Sequence, residues 1–170
     1  MKTLTHKILS LAFAVAALAG VARADFVTVG TDADNRILTD TRWTRDNVYL
    51  LGRVIIIANG AKLTIEPGTI IRGAPATLTG YAEEPGSLVV ARGGKLIANG
   101  TADDPIIFTS LKDTNVPGGA STVPTSWVNL KGTTVDVSAI ALSDYTPGGA
   151  EGNNGFNKSG LWGGIIVSGR

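Results

Sequence analysis

The chain contains no cysteine, and its only histidine is His6. Without cysteine no disulfide can form, and the zinc sites of proteins lose their usual ligands. Once His6 is lost with the N-terminal segment, catalysis by Ser-His-Asp or Cys-His groups is excluded as well. The chemistry that remains is acid–base catalysis by Asp, Glu, Lys, Arg or Tyr, and calcium binding through oxygen atoms.

The N-terminal segment has the layout of a secretory signal peptide. Lys2 and Lys7 precede an almost wholly apolar stretch over residues 8–19, and Ala22-Arg23-Ala24 offers a small-x-small cleavage site. The apolar stretch is shorter than the roughly 20 residues that a membrane-spanning helix needs. We therefore expect a signal-peptide helix, cleavage after residue 24, and a mature chain without a membrane span that is secreted to the extracellular space, the cell surface or the periplasm.

Charge is sparse and balanced. Charged residues make up 17% of the 170 positions, and the formal net charge is +1. Cleavage after residue 24 leaves 12 basic residues against 14 acidic ones and a net charge of −2. Since no basic stripe suited to phosphates is visible, we expect no nucleic-acid partner. Hydrophobic residues make up 44% of the chain, which excludes disorder from low hydrophobicity.

Part of the chain is repeated. Gly-x-Lys-Leu at residues 60–63 recurs at residues 93–96, and Gly-Thr at residues 68–69 recurs at residues 100–101. Short runs of Ile, Val and Leu between Gly, Asn and Pro surround both copies and indicate β-strands. Repeats of this length are typical of solenoids and propellers. Three short strands per copy describe one coil of a parallel β-helix. The alternative is an antiparallel sandwich or jelly roll, in which Asn-Gly would form hairpin turns.

In a β-helix, apolar side chains point inward and stack in columns from coil to coil. One coil cannot bury its own apolar face, so neighbouring coils are required. Full burial of one such side chain is worth roughly 1.5–3 kcal/mol. We expect inward positions for Leu63, Ile65, Ile70, Leu96, Ile106 and Phe108.

Several strings of the sequence resemble the N-terminal coils of exported bacterial right-handed parallel β-helix proteins of the pectin-lyase-like superfamily. They are WTRDNVYLLG at 43–52, GAKLTIEPGT at 60–69, SLVVARGGKLIANGT at 87–101, PIIFTS at 105–110 and GLWGGIIV at 160–167. The series is specific for the fold and not for an activity. The superfamily contains polysaccharide lyases and hydrolases, so the resemblance implies a polysaccharide as one class of partner.

The resemblance implies an all-β chain folded as a right-handed parallel β-helix, preceded by the signal-peptide helix. Because related chains continue through many more coils, we expect this one to be truncated after the first few. The predicted organisation is a signal peptide at 1–24, a lead-in or cap at 25–42, the first coils at 43–110, a Gly-, Thr- and Asn-rich insertion at 111–159 and the start of a further coil at 160–170.

The insertion carries aromatic residues suited to stacking on a sugar ring. Trp127 and Tyr145 are the predicted ligand-binding residues, in a glycan-stacking role. The alternative is that both rings pack the insertion onto the wall of coils. Trp43 and Trp162 belong to the strings that resemble β-helix coils, and we expect them to be packing residues.

No catalytic residue, metal ligand or cofactor is assigned. Residues 32–35 (Asp-Ala-Asp-Asn) have close oxygen ligands, but the Gly and the distal Glu of a calcium-binding EF-hand are missing. Asp103-Asp104 is interpreted as a turn. Three arginines recur at intervals near the length of one coil: Arg53, Arg72 and Arg92. They either form a basic column, as in a lyase, or are exterior residues that keep the wall of coils from associating with other chains. Calcium is the one cofactor left open.

These expectations lead to a secreted, non-catalytic β-helix protein of the cell surface or extracellular space that binds a polysaccharide, a cell-surface glycan or another surface. Two alternatives stay open. One is the N-terminal part of a polysaccharide lyase or hydrolase with its active site on later coils, and the other is an adhesin stalk. The sequence does not indicate an oligomeric state.

Overall fold

A computed structural model describes residues 25–81, 84–139 and 163–168. The predicted signal peptide, Tyr145 and Trp162 lie outside these residues. The strands are β1 (Asp25–Val29), β2 (Arg36–Ile37), β3 (Thr41–Trp43), β4 (Asn47–Leu51), β5 (Val54–Ile57), β6 (Lys62–Ile65), β7 (Ile70–Gly73), β8 (Ser87–Val90), β9 (Lys95–Ala98), β10 (Ile107–Ser110), β11 (Ser126–Val128), β12 (Thr134–Asp136) and β13 (Gly164–Val167). A one-turn helix, α1 (Ala76–Thr79), and a 3-10 turn (Gly119–Thr122) complete the elements.

Eleven of these thirteen strands form three sheets, and their pairing shows how the coils stack. Sheet 1 has the order β1-β4-β7-β10, sheet 2 the order β2-β5-β8-β13, and sheet 3 the order β3-β6-β9. Every pairing within the three sheets is parallel. The chain therefore visits the sheets in turn, and coil 1 is β1–β3, coil 2 is β4–β6, coil 3 is β7–β9, and β10 opens coil 4. The predicted parallel β-helix is confirmed, and the antiparallel alternative is wrong for these coils.

The Lys-Leu half of the repeated Gly-x-Lys-Leu motif lies at equivalent positions of two paired strands, β6 and β9. Lys62 pairs with Lys95, and Leu63 pairs with Leu96. The repeated Gly-Thr pairs do not lie opposite each other, because Ile70, the residue after Gly68-Thr69, pairs with Ile107 and not with a residue next to Gly100-Thr101. The corner before β10 is therefore longer than the corner before β7, and Gly100-Thr101 lies within that longer corner rather than opposite Gly68-Thr69.

The segment predicted as a lead-in forms coil 1. Its strand β1 pairs with β4, β2 pairs with β5, and β3 pairs with β6. At the other end of the described chain, β13 pairs with β8 and so extends sheet 2. Among the described residues, no helix has the length and apolar character needed to cross a membrane.

The interior of the coils is an aliphatic core with one aromatic stack. Leu63 and Ile65 are buried as predicted, and Leu96, Ile106 and Phe108 pack against the same cluster while staying partly exposed. Trp43 stacks on Tyr49 with ring centroids 4.7 Å apart. The indole of Trp43 is 3% exposed, so this residue has the packing role that its sequence context predicted.

The prediction for Ile70 was wrong. Ile71 joins the interior cluster, whereas Ile70 belongs to a second apolar cluster with Val48 and Leu111. Successive side chains on a strand point to opposite faces, so only one of two adjacent isoleucines can face inward. The sequence shows two apolar neighbours and does not show which of them is inside.

The corners of the coils use residues that tolerate a left-handed backbone. Asn59 has φ 55° and Gly60 has φ 78° at the corner between β5 and β6. The next coil places Gly94 above this corner, where an added Cβ would lie 2.4 Å from the carbonyl oxygen of Ile57. Glycine is required there by the close approach of two coils.

The 111–139 segment, which is the described part of the predicted insertion, lies on the outer face of sheet 1. Its strands β11 and β12 pair as an antiparallel hairpin. Beneath it lies the second apolar cluster, which combines outward residues of sheet 1 with residues of the segment: Val48, Leu50, Ile70, Ala74, Leu111, Trp127 and Val137. Sheet 1 is thereby buried on both faces.

Candidate functional sites

Trp127 is placed as a packing residue. It is 4% exposed and lies in the second apolar cluster. Its ring sits so close to Gly52 that a Cβ added there would be 2.9 Å from Cζ2 of the indole. The indole nitrogen donates a hydrogen bond to Oγ1 of Thr28 at 3.2 Å. In this arrangement neither face of the ring is open to a sugar, so the structure favours the packing alternative. The role predicted for Tyr145 stays a prediction, because that residue lies outside the described part of the chain.

The three arginines do not form a column. Arg72 lies within β7, in register with Leu50 of β4 and Thr109 of β10. Arg53 follows β4, and Arg92 follows β8, so each of the three lies at a different point around the coil. The coils are longer than the spacing of these arginines, so the basic column, one of the two alternatives that the sequence left open, is wrong.

Arg72 is also not an exterior residue. Its side chain is fully buried between sheet 1 and the 111–139 segment. The guanidinium donates to the carbonyl oxygen of Ser110 at 2.9 Å and to Oγ1 of Thr122 at 2.6 Å. Beside it in register, the hydroxyl of Thr109 donates to the buried carboxylate of Asp113. These buried polar groups connect coils 3 and 4 to the segment that covers them.

A cluster of charged groups lies around Tyr81, where three coils meet the 111–139 segment. The Tyr81 hydroxyl donates to Oδ1 of Asp32 at 2.6 Å, and Nζ of Lys131 lies 2.6 Å from the same oxygen. The Arg53 guanidinium lies over the Tyr81 ring at 4.1 Å from its centroid. Arg53 also forms an ion pair with Glu84 at 3.3 Å. Sequence analysis missed this cluster because its members are far apart in the chain.

The electrostatics of the cluster favour its charged form. The hydrogen bond from Lys131, together with that from Tyr81, holds the pKa of Asp32 below its usual value. The same contact with Asp32 raises the pKa of Lys131. Burial, and then the bond to the Asp32 carboxylate, raises the pKa of Tyr81, which therefore stays protonated as a donor at neutral pH. The carboxylates of the Asp-Ala-Asp-Asn loop therefore bind basic side chains of the same protein, such as Lys131.

The outer face of sheet 3 is polar and open. Lys62 of β6 and Lys95 of β9 are in register and form one row. Arg42 of β3 and Thr64 of β6 begin a second row that continues to Ile97. Parallel strands are about 4.8 Å apart, which sets the spacing within each row.

Carboxylates form ion pairs with Lys62 and Arg42 on this face. Asp40 accepts the backbone N–H of Lys62 at 2.9 Å, and its other oxygen lies 3.2 Å from Nζ of Lys62. Glu66 accepts from Arg42, with an N–O distance of 2.6 Å in the ion pair. Lys95 and Arg92 are exposed and make no ion pair within the described part of the chain. Unpaired positive charge is therefore concentrated toward the β9 end of sheet 3.

Hydrogen bonds keep these carboxylates ionised. The backbone N–H of Lys62, and then its ammonium group, lower the pKa of Asp40. The backbone N–H of Arg45 and the side chain of Arg42 lower the pKa of Glu66. A general acid for glycosidic-bond cleavage needs a raised pKa, which is the opposite shift.

The Asp103-Asp104 pair forms a turn, as predicted. The hydroxyl of Thr101 accepts the backbone N–H of Asp104 at 2.9 Å, and the carbonyl of Asp104 accepts the N–H of Gly68 at 3.0 Å. The carboxylate of Asp104 binds Arg45 at 2.6 Å. Among residues 25–81, 84–139 and 163–168, no group of three or more His, Cys, Asp or Glu side chains is arranged to hold a metal ion.

Comparison with known proteins gives one match. The family described as a pectate-lyase-like β-helix domain matches residues 35–156. No curated protein and no solved structure matches the chain. The matched range covers β2 and β3 of coil 1, coils 2 and 3, β10 and the 111–139 segment, so it agrees with the geometry described above.

Proposed function

We propose, given that this chain belongs to the family of pectate-lyase-like β-helix domains, that it is an exported, non-catalytic scaffold that binds an acidic polysaccharide on the outer face of sheet 3. The observation that carries the proposal is the row formed by Lys62 and Lys95, with the exposed Arg92 close to it in the chain. Lys62 is paired with Asp40, but Lys95 and Arg92 make no ion pair in the described part of the chain, and this excess of positive charge suits a linear chain of carboxylates laid parallel to the axis of the coils.

The other two sheets fit this role less well. Sheet 1 is covered by the 111–139 segment. Sheet 2 presents an aliphatic outer column, in which Ile56, Val89 and Ile166 are in register. Sheet 3 alone combines a regular spacing of strands with open, basic side chains, and such a surface attracts anions through long-range electrostatics.

A scaffold role is supported by how the wall carboxylates are used. Asp32, Asp40 and Glu66 each bind a cationic side chain from another coil or from the 111–139 segment. Their pKa values are lowered, so these groups are ionised acceptors at neutral pH rather than proton donors. The second candidate function is a polysaccharide lyase or hydrolase, which the description of the family favours.

The test is the binding of polygalacturonate and of neutral dextran to the full chain, measured by affinity electrophoresis at two salt concentrations. We expect polygalacturonate alone to retard the protein. Lys95→Gln should weaken binding by about 1.4-fold to fivefold, since an exposed charge contact is worth about 0.2–1 kcal/mol. Lys112→Gln is the matched control, because it removes the same charge from the 111–139 segment and should leave binding unchanged.

Two results would contradict the proposal. Equal retardation of wild type and Lys95→Gln would remove sheet 3 as the binding face. Accumulation of new reducing ends during incubation with polygalacturonate would show an enzyme and favour the second candidate.

A further inference from the structure

We propose that the 111–139 segment is a strap that ties coil 1 to coil 4, so that the first four coils open as one unit instead of fraying coil by coil from Asp25. This inference is independent of the proposed function, because it concerns the outer face of sheet 1 and not sheet 3.

A solenoid without such a strap has only nearest-neighbour contacts. Each repeat then contributes its own stability and the interface with the next repeat, and terminal units open at low cost. Coil 1 follows this scheme within the sheets, where β1, β2 and β3 each pair with one strand of coil 2. On sheet pairing alone, coil 1 would open at low cost, as terminal units of a solenoid do.

The strap reaches coil 1 at two points. The indole N–H of Trp127 donates to Oγ1 of Thr28, a residue 99 positions earlier in the chain, at 3.2 Å. Nζ of Lys131 lies 2.6 Å from Oδ1 of Asp32. Both partners belong to the strand and loop of coil 1, whereas the strap leaves the solenoid from the end of β10 in coil 4.

The strap also contacts the coils between these two ends. In coil 2, the Trp127 ring fills the space above the Cα of Gly52. In coil 3, Nδ2 of Asn129 donates to the carbonyl of Leu78 at 3.0 Å, and Arg72 donates to Thr122 at 2.6 Å.

Beneath the strap runs one continuous apolar column. It takes one residue from each coil in register: Phe26, Val48, Ile70 and Ile107. Val48 and Ile70 belong to the buried cluster that contains Trp127, and Phe26 and Ile107 are partly buried and pack against it. Lifting the strap exposes this column along its whole length, so the free energy of strap closure is shared among all four coils.

Two consequences follow from this connectivity. Opening coil 1 breaks the strap contacts as well as the pairing with coil 2, so β1 is held more firmly than a terminal strand of a simple solenoid. Loosening the strap must in turn loosen β1, although Trp127 and Lys131 lie far from β1 in sequence. The opening of β1 and the opening of the strap are therefore coupled. A substitution in either one should change hydrogen exchange in the other.

The experiment is hydrogen exchange of the full chain, read by mass spectrometry on peptides that cover residues 25–29 and 126–136. The variants are Thr28→Val, which keeps the shape of the side chain and removes the acceptor of Trp127, and Lys131→Gln, which removes the ion pair with Asp32. Thr28→Val should raise exchange in both peptides by about threefold to tenfold, the effect of losing one net hydrogen bond. Lys131→Gln breaks an exposed ion pair and should raise exchange by about 1.4-fold to fivefold. Arg36→Gln is the control, because it breaks an ion pair with Asp34 inside coil 1 and should leave residues 126–136 unchanged.

Trp127→Ala gives the larger perturbation from the side of the strap and should raise exchange at residues 25–29 more than either mild variant. If it fails to fold, Thr28→Val and Lys131→Gln still decide the question. Faster exchange at residues 126–136 with unchanged exchange at 25–29 in both mild variants would overturn the proposal, and coil 1 would then be held by its sheet pairing alone.

Discussion

Replacement of Trp127 by alanine should cost about 3–5 kcal/mol of unfolding free energy, the range for removing a large buried aromatic side chain. The indole is 4% exposed and packs over Gly52 within the cluster that covers sheet 1. Its hydrogen bond to Thr28 adds about 1 kcal/mol to what is lost. Since the paired strands of sheet 1 cannot move fully into the space left behind, we expect the upper half of that range.

The assay is urea unfolding followed by far-UV circular dichroism, which does not depend on tryptophan fluorescence. Val128→Ala is the matched control, since Val128 is the next residue of β11 and is 56% exposed. It should shift stability by no more than about 0.5 kcal/mol. A cost below about 1 kcal/mol for Trp127→Ala would refute the packing role and return Trp127 to the predicted stacking platform for sugars.

Three further predictions test the coils, the ion pairs and metal independence. Gly94→Ala places a methyl group against the carbonyl of Ile57 and should destabilise by about 1–3 kcal/mol or more; an unchanged thermal midpoint would contradict the close approach of coils 2 and 3. The pKa values of Asp40 and Glu66 are lowered by folding, so the stability they contribute is present above about pH 4 and is lost as pH falls through their folded-state pKa values. Asp40→Asn should reduce the loss of unfolding free energy that urea titrations measure between pH 6 and pH 3. An unchanged pH dependence would show that the ion pair with Lys62 contributes no stability. Addition of EDTA should leave the melting temperature unchanged, and a clear drop would reveal a bound cation that contributes to folding.

The fold follows from local features of the sequence. Lys62 and Lys95 have the same place in each copy of the repeat, and in the structure they are paired neighbours. Asn59-Gly60 and Gly93 have left-handed backbones at corners, as their residue types indicate. These features can be predicted from the sequence because a strand or a corner depends on a few adjacent residues. A repeated residue pattern also indicates that the same local structure occurs in both copies.

The candidate sites depended on contacts that no local pattern contains. Ile70 and Ile71 are chemically identical, and the cover that the 111–139 segment lays over sheet 1 makes the outward position of Ile70 as apolar as the interior. The same cover buries Arg72 and Trp127, although the sequence predicts a basic column or an exterior position for Arg72 and glycan stacking or packing for Trp127.

Tyr81, Asp32 and Lys131 meet only because coil 1, coil 3 and the strap are brought to one corner. The sequence by itself determined the strands, their corners and the repeat that stacks them. The tertiary structure decided which outer faces are covered and which charges meet, because long-range packing, and not residue type, sets whether a side chain on the outside of a coil faces water or another layer of protein.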